Sequence, residues 1–291
     1  MPRWFLLTVI AVLCWGLWAI ISKLIGESVT AAQSQALSTL GLIPAMLALG
    51  CSKKLTATGH RRRGAINAFL AGALTCAGNV AYYHALNVGG KASTVVPLTA
   101  LYPLVTIVLA VALLRERLNV IQLGGIVLSL VAIYFFNVAT MEGVVNVWLM
   151  YALIPIGLWG VSGLLQKVST NDISGELSAL WFLAAFVPVS VVLLMLQPLT
   201  GPIALKTWLL VVALGLFFSL GNYAILLAFA SAGKASIIAP LASLYPLVSV
   251  PIAIAFLGEK ISSRETVGII IALFSVVALA WERPASTSST L

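Results

Sequence analysis

The stretch KASTVVPLTALYPLV at residues 91–105 recurs as KASIIAPLASLYPLV at residues 234–248, an offset of 143 positions. The similarity extends without a gap from 79–118 onto 222–261, where 18 of the 40 positions are identical. Two unrelated apolar segments would share fewer identities than this. The chain is therefore predicted to consist of two copies of one half.

The repeat continues upstream of this block, where the offset becomes 144. Trp15-Gly16 matches Trp159-Gly160 in this part of the alignment. We predict a first repeat at residues 1–141, a second at 142–283 and a disordered tail at 284–291. In membrane proteins built from paired halves, the working site lies between the halves.

The composition indicates an all-α polytopic membrane protein. Hydrophobic residues make up 61% of the chain, charged residues 8%, and the mean hydropathy is +1.11. A soluble domain contains roughly a quarter charged residues. A membrane-spanning helix needs about 20 apolar residues. The ten spans predicted on this basis are 4–22, 31–50, 65–86, 94–114, 120–138, 146–166, 177–196, 207–230, 236–257 and 265–281.

Five spans in each half predict an inverted repeat around a central cavity. Because five is odd, the second half must enter the bilayer in the opposite orientation to the first. With the N-terminus inside, eleven of the 16 Lys and Arg residues lie on the inner side, most densely at 53–63. This asymmetry follows the positive-inside rule. It predicts a bacterial-type inner-membrane protein with both termini in the cytoplasm.

The absence of certain residue patterns excludes other functions. All eight acidic residues fall at the ends of predicted spans or in loops, so no carboxylate is available at mid-membrane for a proton relay. No paired aspartates, HExxH motif or Ser/His arrangement supports an enzyme. The three cysteines have no metal-binding or disulfide spacing, and we expect neither a metal nor another cofactor. Loop asymmetry explains the net charge of +8 without a nucleic-acid partner.

Aromatic and polar side chains form a stripe at matching places in the two halves. Residues spaced i, i+3 and i+7 share one helix face. The stripes consist of Trp15, Trp18 and Ser22 in the first predicted span and of Trp159, Ser162 and Gln166 in the sixth. A shared cavity and a helix-packing seam both explain this recurrence. The depth of the tryptophans within their spans favours the cavity.

The third predicted span carries a polar cluster that is only partly repeated. Asn79 is matched by Asn222 in the second half, whereas the positions that match Tyr82 and Tyr83 hold apolar residues. Residues that differ between the two repeats are candidates for substrate contacts, because the residues common to both repeats serve the scaffold. A buried Asn also serves to bond neighbouring helices. His84 lies about 100° from Tyr83 around the helix, and a lone His is more often a packing residue than a proton carrier.

Proline interrupts the fourth and ninth predicted spans at matching positions. Pro97 and Pro103 correspond to Pro240 and Pro246, and each pair brackets a Leu-Tyr dipeptide. Proline removes a backbone donor and bends a helix. A static bend is the alternative, but recurrence in both halves favours gating elements.

Lysine precedes each of these proline-containing spans. Lys91 and Lys234 lie in matching Gly-Lys-Ala-Ser segments. A lysine beside the positive end of a helix dipole attracts anions, which suggests a carboxylate way-station at each of two gates. A solvated loop with a lysine that reaches to the membrane surface explains the pattern equally well.

Taken together, these features resemble the drug/metabolite transporter superfamily, and within it the EamA family of metabolite exporters. The resemblance rests on the ten spans, the Trp-Gly pairs, the proline-containing spans, and Glu116 in LLRERL and Glu259 in FLGEKI. It covers about residues 4–281. It implies an inner-membrane exporter with two five-helix halves around a central cavity. It also implies a structural role for Glu116 and Glu259, each bonding a neighbouring helix end.

We therefore predict an alternating-access exporter of small neutral or zwitterionic metabolites, most often amino acids. An antiporter of phosphorylated metabolites or nucleotide sugars is the first alternative, although it would favour arginines within the spans. A non-transporting receptor or assembly subunit is the second, and the oligomeric state stays open. The predicted substrate-binding residues are Trp15, Trp18, Asn79, Tyr82, Tyr83, His84, Tyr102, Trp159, Ser162, Asn222 and Tyr245. The predicted gating residues are Lys91, Pro97, Pro103, Lys234, Pro240 and Pro246.

Overall fold

The computed structural model describes residues 2–114, 118–136, 147–231 and 235–281, and it is helical through most of them. Fourteen α-helices lie within these ranges. They are α1 (Arg3–Ile25), α2 (Ala31–Ser38), α3 (Ile43–Gly50), α4 (Arg61–Asn87), α5 (Ala92–Thr99), α6 (Pro103–Leu114), α7 (Val120–Phe136), α8 (Val147–Asp172), α9 (Gly175–Ala184), α10 (Phe186–Leu196), α11 (Leu205–Ala230), α12 (Ala235–Ala242), α13 (Pro246–Leu257) and α14 (Ser263–Leu279).

Several helices are long and apolar enough to cross a membrane, as expected for a multi-pass protein. Within the described ranges, seven segments meet this criterion. They are Arg3–Ile25, Arg61–Asn87, Ala92–Leu113, Val147–Asp172, Gly175–Leu196, Leu205–Ala230 and Ile237–Leu257. The other three predicted spans correspond to the interrupted pair α2–α3 and to the shorter helices α7 and α14. The count of ten spans therefore stays a prediction.

Two of the membrane segments are broken near their middle by three residues, whereas Gly175–Leu196 is interrupted by Ala185 alone. The break between α5 and α6 covers residues 100–102, and the break between α12 and α13 covers residues 243–245. Pro103 and Pro246 begin the helices that follow. Proline suits the first turn of a helix because its missing N–H would have no helical partner there.

The helices pack in matching pairs across the two halves. Helix α1 packs against α11, and the corresponding α8 packs against α4. The broken segments also exchange contacts, with α5 against α13 and α6 against α12. Helices α7 and α14 pack against each other. These contacts between the first half and the second thus have counterparts in the opposite direction.

Glycine brings these pairs into close approach. A Cβ added to Gly16 would lie 2.6 Å from the Cβ of Val248, and one added to Gly160 would lie 2.5 Å from that of Val105. Real Cβ atoms do not approach so closely. The Gly of each Trp-Gly pair therefore lets α1 or α8 lie directly on a broken segment of the other half.

The two ends of the bundle are tied by different contacts. At one end, hereafter the Lys91 end, Lys23 Nζ donates to the carbonyl oxygens of Leu86 at 3.1 Å and Gly90 at 2.8 Å. At the opposite end, hereafter the Asp172 end, the matching Lys167 Nζ donates to the carbonyl oxygen of Phe229 at 3.2 Å. Both lysines interact with the negative end of a helix dipole.

The loop before α4 is held at the Asp172 end. The carbonyl oxygen of Asp172 accepts hydrogen bonds from the backbone N–H groups of Thr58 and Gly59. Its carboxylate forms an ion pair of 2.8 Å with Arg63. The basic segment 53–63 therefore lies at the same end of the bundle as the C-terminus of α8.

Candidate functional site

The two halves enclose a small cavity near the middle of the bundle, with a volume of about 50 Å³. Its lining comes from α1, α4, α8, α11 and α12 and from the two breaks, whereas α7 and α14 contribute none of the described lining residues. Eight of the eleven predicted substrate-binding residues line it. They are Trp15, Trp18, Asn79, Tyr102, Trp159, Ser162, Asn222 and Tyr245.

Three other residues from the sequence prediction lie outside the cavity lining. Tyr82 lies behind the lining residue Trp18, and the two rings stack with their centroids 4.9 Å apart. The hydroxyl oxygen of Tyr83 accepts a 3.0 Å hydrogen bond from Trp18 Nε1. His84 packs edge-on against Tyr151 of α8 at 4.2 Å. His84 is rotated by about 100° from Tyr83 around α4, and its side chain therefore points away from the cavity.

Trp18, Tyr82 and Tyr83 form an aromatic cluster between the cavity and the Lys91 end, hereafter the aromatic plug. All three side chains are buried, and Ser22 Oγ lies 3.5 Å from the Tyr82 hydroxyl. The plug fills the space between α1 and α4. It therefore separates the cavity from the Lys91 end.

The matching positions in the second half are smaller. Ser162 corresponds to Trp18, whereas Ile225 and Leu226 correspond to the two tyrosines. The cavity reaches into the room that these smaller side chains leave, and Gln166 and Phe229 line it there. The cavity is consequently displaced toward the Asp172 end.

Polar contacts organise the wall of the cavity at α8. Ser162 Oγ donates to the carbonyl oxygen of Ala71 at 2.9 Å and accepts from Thr75 Oγ at 2.6 Å. Gln166 Nε2 donates to Ser162 Oγ at 3.2 Å. These groups satisfy one another, so they form a structural network that still presents polar atoms to the cavity.

Three buried polar atoms of lining residues lack a hydrogen-bond partner. They are the indole nitrogens of Trp15 and Trp159 and the amide oxygen of Asn79. The indoles lie against Gly221 and Gly78, so the Trp-Gly contacts are also reciprocal. An unpaired buried polar group costs about 1–3 kcal/mol. The residues that line the cavity therefore hold two unpaired donors, packed against glycines of neighbouring helices, and one unpaired acceptor.

Tyrosines close the cavity where the broken segments meet. The Tyr102 hydroxyl donates to the carbonyl oxygen of Ala239 at 3.4 Å. The matching Tyr245 hydroxyl lies 3.4 Å from Thr99 Oγ. Each tyrosine thus contacts the broken segment of the opposite half. These long hydrogen bonds connect the two segments in which the sequence placed gating prolines.

The four matched prolines are buried around these breaks. Pro97 lies inside α5 and Pro240 inside α12, one turn before each break. Pro103 and Pro246 follow the breaks directly. The interruption therefore falls between the two prolines of each pair and coincides with the tyrosine of the Leu-Tyr dipeptide.

A family comparison decides the class of the protein. The model of the EamA-like transporter family matches residues 2–138 and again 146–281. The chain belongs to the EamA-like transporter family. Two matches of almost equal length agree with the internal repeat, and the resemblance recognised in the sequence is confirmed.

Other relatives add information about fold and length. An uncharacterized protein of Methanocaldococcus jannaschii is 36% identical over 72 residues, which are 25% of this chain and 52% of the relative. The match thus spans about half the length of that protein, which is about half as long as this chain. A solved crystal structure is 19% identical, covers 94% of each chain and superposes with a TM-score of 0.68. It supports the fold alone.

Lys91, which the sequence suggested as part of an anion way-station, lies among carboxylates of the protein itself in this EamA-like transporter. Both carboxylate oxygens of Glu259 accept hydrogen bonds from the N-terminus of α5, from Ala92 N at 2.8 Å and Ser93 N at 2.7 Å. Lys91 itself pairs with Glu265 at 2.7 Å. The protein's own carboxylates therefore occupy the positive end of this helix. Lys234 lies outside the described residues.

The same contacts confirm the structural role expected of Glu259. Its carboxylate caps the N-terminus of α5, which would otherwise leave backbone donors unpaired. The matching Glu116 lies outside the described residues, so its predicted contact with a neighbouring helix end stays a prediction. In the described ranges, no group of three or more His, Cys, Asp or Glu side chains could hold a metal ion.

Some lining residues of the transporter were missed in the sequence. Helix spacing was a usable signal for α11, because Phe218, Ile225 and Phe229 share a face with Asn222 at intervals of four, three and four. No comparable signal identified the small residues Gly163 and Ala239. The missed lining residues are Thr75, Gly163, Phe218, Ile225, Phe229 and Ala239.

Proposed function

We propose that this EamA-like transporter exports small neutral or zwitterionic metabolites, amino acids foremost, by alternating access. The observation that carries the proposal is the uncharged cavity between the halves, which is walled by aromatic rings and lined by residues that have unpaired indole and amide groups. Aromatic walls with a few well-placed polar groups are typical of small-molecule sites.

The lining chemistry favours an amphipathic, uncharged or zwitterionic substrate. Once the cavity widens, Trp15 Nε1 and Trp159 Nε1 could donate to a carboxylate, and Asn79 Oδ1 could accept from an ammonium group. The indole faces can also attract an ammonium group. None of the described lining residues is an arginine or lysine, which disfavours a phosphorylated metabolite as substrate.

Transport requires the cavity to widen. Its volume is about 50 Å³, whereas pockets that bind small molecules have roughly 300 Å³ or more. In the proposed mechanism, substrate enters from the Asp172 end, and the aromatic plug then moves aside to release it at the Lys91 end. The prolines beside the two breaks allow α5 and α12 to change their bend while their other halves stay packed.

The matched contacts between the halves support the inverted repeat on which this mechanism depends. If the halves are related by a two-fold axis in the membrane plane, the contacts that open at one end have equivalents that close at the other. The close approach of Gly16 to Val248 and of Gly160 to Val105 would then serve as two equivalent pivots.

Flux measurements in proteoliposomes test the proposal. We expect counterflow of one or more amino acids and none of sugar phosphates or nucleotide sugars. Asn79→Ala should raise the KM of the transported amino acid, because it removes a polar group that the folded protein leaves unpaired. Transport of phosphorylated substrates alone would support the antiporter instead. No flux of any panel member, with correctly folded protein, would favour a receptor or assembly subunit.

A further inference from the structure

A groove separate from the transport cavity runs along the outer surface of the bundle at the Asp172 end. It lies between the first turns of α4 and the side of α9, and its volume is about 650 Å³. Arg61 and Arg62 form one end of the groove, hereafter its arginine end. Its sides are formed by Ile66, Phe69, Leu70 and Trp181. The volume falls within the roughly 300 to 1,000 Å³ that is usual for sites of small molecules.

The arginine end of the groove carries positive charge that no ion pair within the described residues neutralises. Arg63 pairs with Asp172, but within the described residues no carboxylate lies in ion-pair distance of Arg61 or Arg62. Both arginines are exposed. Two adjacent guanidinium groups suit a phosphate group because each can donate two parallel hydrogen bonds to it.

The sides of the groove are apolar and open outward. Ile66 and Leu70 are each 47% exposed, and Trp181 of α9 is 40% exposed. From Arg61 to Leu70, helix α4 rises by about 13 Å at 1.5 Å per residue. A molecule with a charged head and a long apolar tail can therefore contact the arginines and the apolar sides at the same time.

We propose that this groove binds an anionic phospholipid, with its phosphate at Arg61 and Arg62 and one acyl chain along Ile66, Phe69 and Leu70. Trp181 covers the acyl chain from the side of α9. The groove lies at the end of a membrane-spanning helix beside the basic segment 53–63, which is where a lipid headgroup lies. Its long apolar part favours a lipid over free phosphate.

The lipid site can be tested on the purified full-length protein by native mass spectrometry and thermal unfolding. We expect phosphatidylglycerol to bind as a retained adduct and to raise the unfolding temperature more than phosphatidylcholine does. Arg61→Gln with Arg62→Gln should abolish the difference between the lipids. Lys53→Gln with Lys54→Gln removes the same charge from the same basic segment 53–63 but outside the groove, and it should preserve the difference.

A result in which both double variants lose the preference equally would overturn the proposal, because the basic loop as a whole would then attract the lipid. Stabilisation by inorganic phosphate alone to the same degree would also overturn it, since the acyl chain would contribute nothing.

A second variant tests the apolar part of the groove without changing charge. Ile66→Trp fills the groove, and we expect it to weaken phosphatidylglycerol binding several-fold. Leu209→Trp, at a 63% exposed position of α11, is the matched control and should leave binding unchanged. Phosphatidylglycerol with brominated acyl chains should quench the fluorescence of Trp181, so Trp181→Phe should reduce the quenching. Unchanged binding to the Ile66→Trp protein would refute the groove as the site.

Discussion

The indole N–H of Trp18 in α1 donates a 3.0 Å hydrogen bond to the hydroxyl of Tyr83 in α4, and both side chains are buried. The bond joins the two first-half helices that hold the aromatic plug. Because it is buried, it fixes the orientation of the Trp18 ring, which also stacks on Tyr82. The plug is therefore an ordered barrier between the cavity and the Lys91 end.

Removing the Tyr83 hydroxyl should destabilise the protein. Tyr83→Phe leaves the Trp18 N–H buried without a partner, at a cost of about 1–3 kcal/mol. Thermal unfolding in detergent measures the effect. Tyr134→Phe is the control, because Tyr134 lies 66% exposed on α7. Equal unfolding temperatures for the two variants would contradict the role of this hydrogen bond.

The matched prolines should matter for transport more than for folding. Pro97→Ala and Pro240→Ala restore backbone donors beside the breaks, so the segments become stiffer and we expect flux to fall at least several-fold. Pro251→Ala is the control, since Pro251 lies exposed inside α13 and has no counterpart in the first half. Wild-type flux in the first two variants would mean that the bends are static.

The Glu259 cap should contribute more to stability than the ion pair beside it. Glu259→Gln removes the charge from two hydrogen bonds to backbone N–H groups, and we expect a loss of about 1–2 kcal/mol. Glu265→Gln should cost less than about 1 kcal/mol, because Lys91 is 40% exposed and Gln keeps the capping box of α14. Denaturant unfolding distinguishes them. If Glu116 is the equivalent cap of α12, then Glu116→Gln should resemble Glu259→Gln.

Natural cysteines provide a test of the predicted topology. Cys51 is exposed beside the basic segment, whereas Cys76 is buried. A membrane-impermeant maleimide should label Cys51 in inside-out vesicles and not in intact spheroplasts. Cys51→Ser should abolish that labelling, and Lys260→Cys at the Lys91 end should show the opposite pattern. Labelling of Cys51 from outside would refute the orientation with cytoplasmic termini.

His84 should not couple transport to a proton gradient. Its ring packs against Tyr151 and does not line the cavity. We expect His84→Gln to keep gradient-driven uptake and the wild-type pH dependence in proteoliposomes. His60→Gln, in the basic loop, controls for the loss of a histidine. Loss of gradient-driven uptake with intact downhill exchange in His84→Gln would identify His84 as the coupling residue.

The repeat made much of the fold predictable from sequence. Matching residues must occupy equivalent places in both halves, so Trp15 with Trp159 and Asn79 with Asn222 could be assigned to one shared site. The same reasoning failed where the halves differ. Tyr82 and Tyr83 follow Asn79 by three and four residues, so both lie close to its helix face, and only packing decides which of these side chains reaches the cavity.

Long-range contacts of charged side chains were the least predictable part. A lysine beside a helix N-terminus attracts an anion whether that anion is a ligand or part of the protein. Glu259 lies 167 residues from Ala92, the N–H of which it caps, and no local pattern in the sequence connects them. Lys91 was therefore assigned to a gate, although in the structure it pairs with Glu265.

The reciprocal contacts of Gly16 with Val248 and of Gly160 with Val105 have an evolutionary consequence. A half-length chain with one such glycine and one such valine could make both contacts with an identical copy of itself lying antiparallel. Two identical chains, however, would present the same residues at both faces of the membrane. The aromatic plug breaks that equivalence, because Trp18 in the first half corresponds to the much smaller Ser162 in the second. A barrier at one face only thus requires two halves that differ in sequence at these positions.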